Sequence, residues 1–528
     1  MIKRLLLALF LVMAAQPAGA QSREEVERTM MRATRFMVEE VATNGGYVWS
    51  YLPDMSRRWG EIEAKPSMIW VQPPGTATVG HLFLDAYHAT GDEYYYRAAE
   101  QVGGALIWGQ HPSGGWNYFI DFAGEASTRH WYDTIGKNAW RMEEFQHYGG
   151  NATFDDAGTS EAMQFMLRLY VEKRDPKYRP ALERAIDFVL ASQYPIGGWP
   201  QRYPHSETYP AYARLITFND DVAAENIRFL TMAYQALGET RVRDAITRGM
   251  NAFLVTQLGA PQPGWALQYT LDLQPSGARS YEPNALVTHT TAANIRALMS
   301  FYRLTGETKF LARIPEALDW LESVRLPAGQ ERGNRAFPTF IEIGTNRPIY
   351  VHRRGSNVVN GEYYWDYSPE ATIGHYSAFR AIDVPALRRE YAELRATPPE
   401  RLRATSPLFA AAGPGLPHYF VSGQEAGSDL NASGGGSPAV LIRSLNARGY
   451  WPTPLRATSN PYAGDGPAAP APGDYRTTHV GDRTDTSPYN TETPVTGIST
   501  ATYIANMSRL IAALPRRDAP ATPPRSPR

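Results

Sequence analysis

The segment Gln110-His-Pro-Ser-Gly-Gly-Trp116 returns as Gln193-Tyr-Pro-Ile-Gly-Gly-Trp199, each time at the end of a helical pattern. A repeat of this kind constrains architecture more than any composition can, because each copy must bury its apolar face against its neighbours. Four windows share one plan: an apolar stretch, then Gly91-Asp92, Arg174-Asp175, Gly238-Glu239 or Gly306-Glu307, then a second apolar-periodic stretch. The acidic positions lie 83, 64 and 68 residues apart, and Trp116, Trp199 and Trp265 follow the first three after 24, 24 and 26 residues.

In the second window Glu161 to Tyr170 and Tyr178 to Ala191 carry helical periodicity, with Arg174-Asp175-Pro176 as a stop and restart between them. One helical hairpin per repeat predicts an all-α fold, an (α/α) toroid or barrel of hairpins; a superhelical solenoid is the alternative. The toroid is favoured because irregular repeats would gather their Gly-Trp loops at one end, forming a cleft. Phe340-Ile-Glu-Ile and Arg347 to His352 alternate as a small β-hairpin.

The expected organisation is a signal peptide at 1–20, a toroid at 22–395, a loop-rich C-terminal extension at 396–514 and a disordered tail at 515–528. Lys3-Arg4, the apolar run Leu5 to Ala14 and Ala18-Gly19-Ala20 have the form of a secretory signal, which predicts export to a periplasmic or extracellular location. That run is too short to span a bilayer, and no later segment is long and apolar enough, so no membrane insertion is expected. Ile498 to Leu514 reads as a last helix that docks back. A net charge of -1 argues against nucleic acid as a partner. The absence of cysteine removes disulfides, thiol nucleophiles and thiolate metal sites. No H-E-x-x-H, Gly-x-Ser-x-Gly or P-loop pattern occurs. A monomer is expected.

Four groups of residues can carry chemistry. Asp155-Asp156 and Asn219-Asp220-Asp221 each open a helix, where acids cap free N–H groups. If the two starts face each other, their carboxylates and Asn219 offer hard oxygen ligands for calcium. In Gly197-Gly-Trp-Pro-Gln-Arg-Tyr-Pro204, Trp199 and Tyr203 can stack on a sugar or plug the repeat's own seam, and Arg202 can bind an anion or remain solvated. Arg279, Arg347, Arg353 and Arg354 form a basic set suited to the carboxylates of a uronate polymer, or to surface ion pairs.

Taken in order, Gln110-x-Pro-x-Gly-Gly-Trp116 with Asp121, Ala152-Thr-Phe-Asp155, Gly197-Gly-Trp-Pro-Gln201-x-Tyr-Pro204, Ile216-Thr-Phe-Asn-Asp220, Ala278-Arg279-x-Tyr-Glu282 and Gly344-Thr-Asn-Arg347-Pro348 resemble family 10 pectate lyases over residues 105–355. The resemblance implies an (α/α) toroid that cleaves polygalacturonate, an acidic polysaccharide, by calcium-assisted β-elimination. It implies a catalytic set of Asp155, Arg347 and Arg353, with Arg353 as base. It implies calcium at Asp155 and Asp220, with Asp221 beside them, and substrate contacts from Arg279, Arg202, Trp199, Tyr203 and Asp156. Asp156 stands where the family usually has Asn, and Arg202 where it usually has an aromatic residue. An inverting glycoside hydrolase using Asp155 and Asp220, or a non-catalytic binder of uronate oligomers, are the rival expectations.

Overall fold

The computed structural model describes residues 22–139, 142–354, 362–373, 377–409, 429–464 and 485–514. The expected signal peptide and tail lie outside the described residues. Fourteen α-helices are present among them: α1 (Arg23–Phe36), α2 (Thr76–Thr90), α3 (Glu93–Trp108), α4 (Glu125–Thr134), α5 (Gly158–Lys173), α6 (Arg179–Ser192), α7 (Val222–Leu237), α8 (Arg243–Thr256), α9 (Thr288–Thr305), α10 (Ile314–Ser323), α11 (Val384–Arg395), α12 (Pro399–Thr405), α13 (Pro438–Ser444) and α14 (Thr500–Ala513).

The hairpin turns follow from local backbone chemistry. Gly91, Gly238 and Gly306 end α2, α7 and α9 in the left-handed region at φ 73°, 67° and 67°, and Arg174 does the same after α5 at φ 53°. Asp92 then restarts the chain by accepting the Tyr94 N–H at 2.8 Å, as Asp175 accepts that of Lys177 at 3.0 Å. Helices α2, α5 and α7 pack side by side as an inner layer. Their hairpin partners α3, α6 and α8 pack outside them, and α10 packs on α9. The result is an (α/α) toroid with small β elements.

The repeated Gln and Gly-Trp positions are the stitching between hairpins. The amides of Gln110, Gln193 and Gln257 donate to Gly114, Gly197 and Pro263 in their own loops, and also to Ala181, Ala245 and Arg313 in the next outer helix region. Gly114 and Gly197 sit at φ 107° and 108°, where an added Cβ would meet the Arg184 and Arg248 carbonyls at 2.0 Å. Only glycine fits both demands. Trp116, Trp199 and Trp265 are fully buried, and their indole N–H groups donate to Leu106, Val189 and Phe253 at 2.8, 2.9 and 3.1 Å, closing the end of the preceding helix.

The boundary expected at residue 395 is corrected by the packing. Helix α14 lies against α2 and α1, and the strand Tyr489–Ser499 pairs with Ser50–Tyr51, where Ser50 faces Ser499. Thr500 donates its N–H to the Trp49 carbonyl at 2.8 Å. The C-terminal part is therefore an integral piece of the toroid's first layer. The last helix docks back as its apolar face predicts; what the polar, proline-rich composition hid is the strand that pairs with Ser50–Tyr51.

Candidate active site

The inner helices begin at one end of the molecule, and the residues just before them form the site. The turn before α5, Asp155-Asp156-Ala157, and the turn before α7, Asn219-Asp220-Asp221, are copies: the second and third residues stand at φ 47° and 57° in one and 50° and 54° in the other. Four non-glycine residues in this region are uncommon. The geometry turns a side chain of each copy towards the other, and carboxylates there also favour the helix N-termini.

Asp155 is fully buried. Its Oδ1 accepts from the Gln201 amide at 2.7 Å, and its Oδ2 accepts from the Tyr118 hydroxyl at 2.5 Å and from Arg279 Nη2. Burial alone would raise this carboxyl, but the Arg279 guanidinium and hydrogen bonds from Asp220, Tyr118 and Gln201 hold it below its ordinary value. Asp156 and Asp220 are half-buried. Burial, then repulsion from neighbouring carboxylates, pushes both well above the usual aspartate range. The Gln72 amide bridges Asp156 at 2.9 Å and Glu61 at 2.8 Å.

Arg279 is the hub. It ion-pairs with Asp155 and with Glu282 at 3.0 Å, and its Nε lies 3.3 Å from a carboxyl oxygen of Glu144. Burial opposes its charge, yet Asp155 and Glu282 hold it firmly protonated. Glu144, buried and accepting from Tyr281 at 3.1 Å, is pushed up to about 8, chiefly by desolvation. Glu282 also accepts from the Asn219 amide at 3.2 Å.

The structure thus brings Asp155, Asp156, Asp220 and Arg279 together, and leaves the expected Arg347 and Asp221 exposed. Arg347 is exposed at a hairpin turn, its guanidinium 3.5 Å from the centre of the Tyr367 ring. Arg353 is fully buried at the other end of the same strand, Pro348–Arg354. Six residues of strand place the two roughly 20 Å apart, so they cannot serve one sugar together. Asp221 is exposed rather than buried with Asp220. Trp199 cannot stack on substrate because it fills its own repeat. Tyr203 is half-buried against Phe188 and His205, with ring centres 5.8 and 6.0 Å away. Arg202 is buried rather than solvated: it donates to the Asn151 and Asn117 side chains at 2.8 Å each, and lies over the Tyr118 and Tyr209 rings at 5.4 and 4.7 Å. It thereby braces Tyr118, which holds Asp155. Arg279 is already engaged by carboxylates, so its first role is to organise them.

Sequence reasoning missed Glu61, Gln72, Tyr118 and Glu144. Gln201 and Glu282 sat inside the quoted motifs, and that was their only signal. Among the described residues no three His, Asp or Glu side chains are pre-arranged in metal-holding geometry. No helix among them is long and apolar enough to cross a membrane.

A helical toroid whose mouth gathers buried carboxylates around one arginine defines the class. Residues 121–367 match the family model described as pectic acid lyase. Similar solved structures include the family 10 polysaccharide lyase from Cellvibrio cellulosa, at 20% identity over 51% of this chain and 84% of that one, TM-score 0.37. A mutant of it in complex with trigalaturonic acid gives 19%, 52%, 86% and 0.37. A family 76 α-mannanase from Bacteroides thetaiotaomicron gives 9%, 94%, 96% and 0.39. No match is found among curated proteins.

Proposed function

We propose that this protein is a polysaccharide lyase acting on pectate or a related uronate polymer by calcium-assisted β-elimination. The observation that carries the reading is the Asp155–Asp156–Asp220 cluster around Arg279, lying within the segment that matches the family.

The donor set suits a hard cation. Asp156 and Asp220 are crowded carboxyls, pushed up first by burial and then by the neighbouring carboxylates, so a bound cation would favour their ionised forms. They, more than Asp155, have oxygens to give, since Asp155 already accepts from Arg279, Tyr118 and Gln201. Calcium bound by Asp156 and Asp220, with Asp155 behind them, would supply neutralisation of the uronate carboxylate. The chain's own groups do the rest. Arg279 keeps Asp155 ionised and fixed, and Tyr118 and Gln201 set its orientation. Arg353 is proposed to take the C5 proton; the C5–H electron pair becomes the C4=C5 double bond as the C4–O bond breaks, the departing oxygen takes a proton from solvent, and a 4,5-unsaturated sugar is left. An arginine can do this only through its small neutral fraction, so turnover should climb towards alkaline pH.

The contact between Asp155 and Asp220 speaks against the inverting hydrolase. That reaction needs carboxyls about 6.5–9.5 Å apart, with a water between them. The test is incubation of the full chain with polygalacturonate and calcium while following ultraviolet absorbance of the unsaturated product. Its appearance, and its loss in Asp155→Ala, is the expected result. Binding of uronate oligomers without product would leave the non-catalytic binder, and sugar release without the absorbance would leave a hydrolase.

A further inference from the structure

One strand carries a row of aromatic rings that the site itself does not use. Antiparallel pairing places Tyr363 opposite Arg353 and Trp365 opposite Val351. Residues two apart share a face, spaced about 6.6 Å along the strand. Tyr367 follows just past the strand, its ring centre 6.1 Å from that of Trp365. At the inner end the Tyr363 ring lies 5.4 Å from Tyr281, whose hydroxyl donates to Glu144 in the acid cluster at 3.1 Å. At the outer end Arg347 covers Tyr367. Tyr363 is half-buried, whereas Trp365 and Tyr367 are 44% and 43% exposed.

Among the described residues this strand is the last of its sheet, with no further strand paired along its outer edge. Aromatic faces at regular spacing offer apolar surface for sugar rings. An arginine at the end of the row offers the planar donor pair that a carboxylate accepts. The row runs from the acid cluster to Arg347, which lies beside Glu342, the acceptor of the Tyr367 hydroxyl at 3.0 Å; a uronate carboxylate at this end would share Arg347 with Glu342.

We propose that Trp365 and Tyr367, with Arg347, form an extended rail for a uronate oligosaccharide emerging from the acid cluster past Tyr363. Arg347 then reads the carboxylate of a sugar remote from the cleaved bond. The inference rests on the uronate reading above and adds to it a preference for chain length.

The test is calorimetric binding of galacturonate dimer and hexamer to the full chain, to Trp365→Ala and to Arg347→Gln, with the carboxyl-reduced hexamer as the neutral probe. Unchanged melting temperatures show that both exposed substitutions leave the fold intact. The expected result is hexamer bound at least tenfold tighter than dimer by the natural sequence, with most of that ratio gone in Trp365→Ala. Arg347→Gln should weaken the charged hexamer and leave the neutral one as it was. Equal affinities for dimer and hexamer, or a ratio untouched by Trp365→Ala, would overturn the rail; equal binding of the neutral hexamer would overturn its assignment to a uronate. Unsaturated product without length dependence sinks the rail and leaves the lyase. Length-dependent binding without product sinks the lyase and leaves the rail.

Discussion

The turns before α5 and α7 share a backbone and differ in charge. Phe154-Asp155-Asp156-Ala157 and Phe218-Asn219-Asp220-Asp221 have matching left-handed pairs, and the equivalent aspartates Asp156 and Asp220 are both half-buried with their carboxyls pushed up. At the first position the copies part. Asp155 is ionised against Arg279, whereas Asn219 is neutral and donates to Glu282. The repeat supplies the geometry twice; Arg279, brought from elsewhere in the chain, can compensate only one deeply buried aspartate, and the sequence places only one there.

The most disruptive way to break this asymmetry is to remove the hub. Arg279→Met keeps bulk but leaves Asp155 and Glu282 buried without their cation. Uncompensated buried charge of this kind costs about 3–5 kcal/mol. Urea unfolding should show a loss of that size, and a loss below 1 kcal/mol, taken against that range, would mean the cluster is held by something else.

The second asks whether the two half-buried aspartates answer to a cation. Calcium at a hundredfold excess over its dissociation constant should stabilise the fold by about 2.7 kcal/mol. A melting temperature indifferent to calcium and chelator would remove the metal from the proposed mechanism. Asp156→Asn restores the residue usual in the related family. It should retain part of the shift, while Asp156→Asn with Asp220→Asn should abolish it.

How far the site could be read in advance follows the same division. The hairpins, the Gln and Gly-Trp stitching and the meeting of Asp155 with Asp220 were legible because each rests on local periodicity or a turn residue. The partners of Asp155 were legible only in part. Arg279, 124 residues away, is marked by the order of motifs alone, and Tyr118, 37 away, stands two residues after Trp116 as Gln201 stands after Trp199, a correspondence that sequence reasoning did not use. Glu61 and Glu144 come from irregular segments with no pattern to mark them. The order of motifs placed Arg347 in the mouth, but order along a chain carries no distance, and a strand set it at the far end of a hairpin. The first layer was misread for a related reason. Its closing strand and α14 return more than four hundred residues after Val48 and Trp49, to which Thr500 bonds.

The third prediction makes the copies alike without adding a cation. Asn219→Asp removes the amide that donates to Glu282 and sets two acids face to face in a buried place. The expected cost is about 1–3 kcal/mol at neutral pH, falling as acid protonates the new group. Paired with Glu282→Gln the penalty should largely vanish, since the carboxyl then again meets an amide; a penalty that persists would put its origin in the strained turn rather than in charge.

The smallest effect concerns Glu144, which faces the same arginine from outside the repeat. Burial pushes it up to about 8, although Arg279 pulls the other way. A carboxyl raised above its unfolded value of about 4.3 gives the fold its full stability below that value, and withdraws stability as pH rises through the folded value. Glu144→Gln keeps an acceptor for the Tyr281 hydroxyl and cannot ionise. Relative to the natural sequence, its stability should therefore improve as pH rises from 4.5 towards 8.5, by on the order of 1 kcal/mol. Chemical denaturation at the two pH values measures the difference. Were the variant instead to lose ground at pH 8.5, Glu144 would be an ionised partner of Arg279. The arginine would then be compensating three acids, and the contrast between the two turns would rest on geometry rather than on a limited supply of positive charge.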